Sequence, residues 1–242
     1  MTAGVHDPAT AAPLRPAGAA AVAYGALTVV SAVVQAALVD FAVASPADLI
    51  EDVARHQAWW VGAQTVLIAQ QLLLLPAALG LLAALARSSP RSSGTQSPTS
   101  SDAAVVLLGA AAGSYVMSGI FHGVLGVHID AFDTLSGTER ATALHLAEVV
   151  HALGDTCYFV AVALTAVAMV AVSPTLRRSP AFPRRLATLG LVTAVCEAAQ
   201  FGWFLAPSLG YAAPLGLSLQ AAWFCWLGRC LERSPVEVPA IP

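Results

Sequence analysis

The fold class that this sequence predicts is all-α: a polytopic membrane protein, built as a six-transmembrane-helix bundle with N- and C-termini cytoplasmic. Three observations lead there. Hydrophobic residues make up 57% of the 242 and charged residues only 10%, where a soluble domain carries about 25% charge. Six apolar runs are each long enough to cross a hydrocarbon layer of about 30 Å, which takes roughly 20 helical residues. Arginine then segregates to alternate connections between the runs, the sign of a fixed orientation.

In chain order, residues 1–17 are rich in Pro and Ala and read as a disordered cytoplasmic lead. The first run, 18–41, exceeds the 7–15 residues of a signal-peptide core and reads as a retained helix. Gln35 and Asp40 share its outer half. An acidic outer loop (Asp48, Glu51, Asp52) leads to the second run, 59–86, with Trp59 and Trp60 as outer-interface anchors. Pro76 removes a backbone donor and leaves the carbonyl of Leu72 without its helical partner, so a kink is expected there. The stretch SSPRSSGTQSPTSS, 88–101, is a flexible cytoplasmic linker by composition.

The third run, 103–127, carries Gly109-x-x-x-Gly113 and Gly119-x-x-x-Gly123 with Ser114 and Ser118 between them. Small residues four apart let helix backbones approach closely in lipid, which predicts this helix at the bundle centre. The fourth run, 141–173, follows Ser136-Gly-Thr-Glu139, the pattern of a capping box, and is too long for the bilayer, so its first turns protrude. The fifth and sixth runs occupy 186–206 and 211–230, Trp223 and Trp226 read as inner-interface anchors, and 234–242 is a cytoplasmic tail. The four cysteines show no C-x-x-C spacing and read as small buried hydrophobes.

All eleven basic residues are arginine, and nine of them (Arg15, Arg87, Arg91, Arg177, Arg178, Arg184, Arg185, Arg229, Arg233) fall on one side of the six-span scheme. Arg55 and Arg140 fall on the other, whose loops carry Asp130, Asp133 and Glu139 as well. The scheme puts the protein in the cytoplasmic (inner) membrane with the lipid bilayer as its first partner. A net charge of −3 and the lack of a basic stripe exclude nucleic-acid binding from the reading.

Ionisable groups inside a membrane are costly and mark functional candidates. At about 1.5 Å per residue, His122, His151 and Asp155 lie in the outer half of the bundle, and Glu197 lies near its middle with Gln200 one turn outward. Glu148, His151, Asp155 and Tyr158 form one stripe on the fourth run, and Ser114, Ser118 and His122 form another on the third. Gln64 and Gln71 share a face of the second. Convergence of these faces predicts an outward-opening polar site with His122, His151, Asp155 and Glu197 as its acid–base groups, and Gln64, Gln71, Ser118, Tyr158 and Gln200 as substrate-binding groups.

Three uses fit such a set. Glu148-x-x-His151 has the i, i+3 spacing of metal ligands in helical bundles, so His122, Glu148 and His151 are candidates for a divalent metal. Imidazole beside carboxylate is also an acid–base pair able to isomerise or cyclise a lipophilic small molecule. Chains of His and Asp are the material of proton-coupled transport. Haem clamped by His122 and His151 is a further cofactor option. Against all of these stands a structural membrane subunit whose buried pairs only hold the bundle. His145, His56 and His128 read as solvated.

DVARHQAWWVGAQ (52–64), GDTCYFVAVAL (154–164), SPAFPRRLATLGLVTAV (179–195) and WLGRCLE (226–232) give the chain an overall likeness. Over 18–233 it resembles a class of bacterial six-helix integral membrane proteins. The resemblance implies a fold and a membrane, and no catalytic residue is carried over from it.

Overall fold

The computed structural model describes residues 14–38, 46–88, 100–128, 134–204 and 212–233. Asp40, Asp130, Asp133, most of the Ser/Pro linker and the C-terminal tail lie outside the described residues, and so does the side chain of Gln35. The described chain is helical, with no strand. Its helices are α1 (Leu14–Leu38), α2 (Pro46–Arg55), α3 (Gln57–Ser88), α4 (Ser100–His128), α5 (Gly137–Arg178), α6 (Arg184–Gln200) and α7 (Ala212–Arg233). A 3-10 turn, Phe201–Phe204, prolongs α6.

Four helices, α1, α3, α4 and α5, are long and apolar enough to cross a membrane. The helices are therefore compatible with a multi-pass integral membrane protein. Six runs were expected in that class. Before its terminal turn α6 has only 17 residues, and Pro214, Gly216, Ser218 and Gln220 dilute the apolar content of α7. At the other end of the chain, α1 starts at Leu14, ahead of the apolar run, and Leu14 is buried in the main core.

The six long helices close a ring in which each packs on the next: α1 on α3, α3 on α4, α4 on α5, α5 on α6, α6 on α7, and α7 back on α1. Glycine makes the closing contact. A Cβ on Gly18 would lie 2.7 Å from the carbonyl oxygen of Gly228, and one on Gly25 would lie 2.6 Å from that of Ala221. Such approach is the small-residue packing of apolar helices. On α4 the two glycine pairs behave differently. Gly119 meets Ile68, whereas Gly109 and Gly113 face open space. Half of the expected motif is thus unused, and α4 sits between α3 and α5 in the ring rather than at a centre.

The main core lies where α1 and α4 begin and α3, α5 and α7 end. It includes Leu14, Leu81, Leu108, Met169, Leu186, Trp223 and Leu231. Val30, Leu72, Val106, Val167 and Val195 remain exposed on the outside of the ring. Apolar residues on both faces are what helices in lipid require. Two tryptophans expected as interface anchors are core residues instead. Trp60 donates its indole N–H to the carbonyl of His122 at 2.9 Å, and Trp223 donates to that of Leu186 at 3.1 Å. Each finds a carbonyl inside the bundle, so neither needs the headgroup region. Trp59 stays exposed.

The segment read as an acidic loop forms α2, a short amphipathic helix. Ile50 and Val53 pack with Trp60, Leu125 and Ala147 in a second small core, while Asp52 and Arg55 pair at 3.0 Å on its wet side. At the start of α5, Ser136 is the N-cap but makes no side-chain cap bond. Gly137 follows with φ +55°, a left-handed entry open to glycine, in place of the helical residue that a capping box requires. The first turns of α5 are exposed.

Candidate functional site

The end of the ring next to the small core holds a His–Asp–His cluster. His122 comes from α4; His151 and Asp155 are one turn apart on α5 and so share a face. His122 Nε2 lies 3.4 Å from Asp155 Oδ1, and His151 Nε2 lies 3.4 Å from Asp155 Oδ2. The imidazole centroids are 5.2 Å apart with planes inclined at 60°.

Several contacts hold His122 in place. Ser118 Oγ sits 3.4 Å from its Nδ1, and the Trp60 indole meets the ring edge-on at 6.1 Å while bonding its carbonyl. Gly154 permits the approach of α5, since a Cβ there would fall 2.7 Å from His122 Cε1 and Nε2. On the other imidazole, His151 Nδ1 is buried and makes no hydrogen bond among the described residues. Asp155 keeps 48% of its side chain exposed, so the cluster opens at its carboxylate.

The distances discriminate between uses. A charge-assisted N–H···O bond is about 2.8 Å long. Two ligands on one tetrahedral ion with bonds near 2.0–2.1 Å lie about 3.3–3.4 Å apart. Each His–Asp separation, at 3.4 Å, is close to the second figure, His122 facing Oδ1 and His151 facing Oδ2, so an ion bound by one carboxylate oxygen has one imidazole already at ligand spacing. The ligand atoms of His122, His151 and Asp155 all lie within 4.8 Å of one another, so closing the widest pair onto one ion takes about 1.5 Å of side-chain rotation. Two imidazoles and one carboxylate suit a borderline transition metal and leave coordination positions open. The imidazole centroids, 5.2 Å apart, are too close to clamp a haem iron from opposite faces, which argues against the haem option.

Glu148 stands apart from this cluster, and its carboxylate faces exposed His145 at 3.7 Å. The i, i+3 spacing to His151 is present, but Asp155 is the carboxylate that meets both imidazoles. Glu197 also stands apart. It is fully buried on α6, within electrostatic reach of the phenols of Tyr24, Tyr115 and Tyr158. Neither of its oxygens has a hydrogen-bond partner among the described residues. Gln200, one turn along α6, accepts a hydrogen bond from the Tyr158 hydroxyl at 3.2 Å. Gln220 donates to the Tyr24 hydroxyl at 3.2 Å, and Gln71 lies against the same phenol.

The single polar pocket expected from the sequence is therefore two adjoining sets. Ser118 belongs with the His–Asp–His cluster, and Gln64, packed beside Gly123, lies on the α3 face next to it. Gln71, Tyr158 and Gln200 belong with Glu197. His151 and Asp155 meet His122 of α4, whereas Tyr158, further along α5, bonds Gln200 of α6 and packs edge-on against Tyr115 of α4 at 5.9 Å. Sequence reasoning missed Trp60, Gly154, Tyr24, Tyr115 and Gln220 as parts of these sets. Gly154 had a usable signal, because glycine inside a long helix marks close approach of a neighbour.

No family model, curated protein or solved structure matches the chain.

Proposed function

We propose that the protein is a six-span membrane protein of the cytoplasmic membrane, with both termini inside, whose His122–His151–Asp155 cluster binds a divalent transition metal. The metal serves chemistry on a lipophilic small molecule that reaches the site from the outer half of the bilayer. One observation carries this reading: three ligand atoms from two helices lie within 4.8 Å of one another around a half-exposed carboxylate. His122 and His151 are the neutral ligands and Asp155 the anionic one. Ser118 orients the His122 ring, as outer-shell partners do in metal sites. A metal held by three protein ligands keeps positions for water and substrate and acts there as a Lewis acid.

The test is metal titration of purified, chelator-stripped protein with zinc and manganese, alongside Asp155→Ala and the double variant His122→Ala/His151→Ala. The reading expects one bound ion per chain in the wild type and none in the double variant. Equal uptake by all three proteins would defeat it. A second reading, proton-coupled transport, draws support from the Tyr158–Gln200 hydrogen bond, which joins the helix of Asp155 to that of Glu197. Proteoliposomes would distinguish it by a pH-driven flux that Asp155→Asn abolishes.

A further inference from the structure

The buried carboxylate of Glu197 has no assigned use in the metal site, and its surroundings are unusual. Glu197 is 0% exposed and lies within a bundle of apolar helices. Among the described residues no arginine or histidine pairs with it. The ionisable groups that face it are the three phenols, Tyr24 from α1, Tyr115 from α4 and Tyr158 from α5, with Asp155 beyond Tyr158. From α7 the facing position is Gly216, where a Cβ would lie 2.9 Å from Gln200 Nε2 and 3.4 Å from Glu197 Cγ. Gln71 and Gln220, on α3 and α7, flank Tyr24. Every long helix of the ring therefore supplies a part of this chamber.

The hydrogen-bond inventory of the chamber is one-sided. Glu197 Oε1 and Oε2, Gln71 Oε1 and Gln220 Oε1 are four buried acceptors without a partner among the described residues, against two groups able to donate in the same condition, the Gln200 amide nitrogen and the Tyr115 hydroxyl. A carboxylate in this setting is far too costly to leave bare, so it must hold a proton or a cation. Surplus acceptor oxygen with one negative charge excludes an anion and suits one small, hard positive charge. Close packing at Gly216 excludes a bulky one.

We infer that the Glu197 chamber is an exchangeable site for one monovalent cation, a proton or a sodium ion, with Glu197 as its charged ligand and the Tyr24 phenol, flanked by Gln71 and Gln220, in its lining. The inference does not rest on the metal reading, because none of the three metal ligands belongs to the chamber. Exchange at this depth gives the protein a charge that responds to the ion gradient across the membrane.

Infrared difference spectroscopy of the whole protein in lipid, perfused alternately with two buffers, tests it. The protonated carboxyl of Glu197 contributes a C=O band distinct from that of a carboxylate. In sodium-free buffer the band is expected to disappear reversibly as pH rises, and Glu197→Gln is expected to lack it. Loss of the band on adding sodium at constant pH identifies sodium as the occupant; loss with pH alone identifies the proton. A band that never changes, or spectra identical in wild type and Glu197→Gln, overturns the inference. Should Glu197→Gln fail to fold, Glu197→Asp keeps a carboxyl in the chamber and is expected to move the pH or sodium midpoint at least about tenfold in ion activity, roughly one pH unit. An unmoved midpoint overturns it equally. Metal stoichiometry on the same samples keeps the two proposals separate: intact metal without exchange removes only the chamber, and exchange without metal removes only the metal reading.

Discussion

Replacing Gly154 with alanine attacks the His–Asp–His cluster without touching a ligand. A Cβ at this position stands 2.7 Å from Cε1 and Nε2 of His122 and 3.0 Å from its Nδ1. Carbon atoms in contact want about 3.5 Å or more, so the imidazole must retreat by roughly 0.8 Å. Metal ligand distances tolerate about 0.2 Å. The retreat moves Nε2 off its 3.4 Å position beside Asp155 and removes one of three ligands. Loss of an outer-shell partner alone weakens metal affinity about 10- to 100-fold, so Gly154→Ala is expected to exceed about 100-fold. Stability behaves differently. Alanine in place of glycine inside a helix gains about 1 kcal/mol, whereas overpacking costs about 1–3 kcal/mol. The net loss is therefore about 0–2 kcal/mol, and the protein stays folded. Competition with a chromophoric chelator measures affinity, and thermal melting of the same preparation measures the fold. Wild-type affinity in a normally folded variant would refute the reasoning, since it would mean that the helices are not in contact at Gly154.

Further expected outcomes concern the same cluster and the bundle around it. Ser118→Ala is expected to weaken metal binding about tenfold, the low end for an outer-shell partner because its contact with His122 is long at 3.4 Å; the chelator competition reads this. Trp60→Phe deletes the N–H that bonds the carbonyl of His122 at 2.9 Å and is expected to cost about 1–2 kcal/mol in denaturant unfolding. Protons compete with metal for imidazole nitrogen, so affinity measured from alkaline to acidic buffer is expected to fall steadily; a flat profile would exclude histidine ligands. For orientation, an impermeant maleimide added to intact cells is expected to label Thr138→Cys, in a background without the native cysteines, and to leave Arg178→Cys unlabelled until the cells are opened.

Helix positions were legible because apolar runs of twenty or more residues have few alternatives in a chain with so little charge. Within the described residues each run overlaps a helix, and four of those helices are long and apolar enough to cross a membrane. α2 was not legible: ten residues with three acids look like a wet loop until Ile50 and Val53 are seen to share a buried face. The shared face of His151 and Asp155 follows from helical spacing alone. Their meeting with His122 depends on the register of α4 against α5, which Gly154 sets and which no spacing within one helix encodes. Glu197 shows the reverse case. Depth placed it near the middle of the membrane, but only the ring order reveals that α6 turns it toward Tyr24, Tyr115 and Tyr158. Trp60 and Trp223 were misread for a related reason, since an indole is amphipathic and its N–H is satisfied as well by a buried carbonyl as by a headgroup.

X-ray absorption spectroscopy of the zinc-loaded protein bears most directly on the metal centre. The geometry of His122, His151 and Asp155 predicts a nitrogen and oxygen shell near 2.0–2.1 Å with outer-shell scattering from two imidazoles, reduced to one in His151→Ala. A spectrum without imidazole scattering, or a protein that retains no zinc after loading, would contradict it.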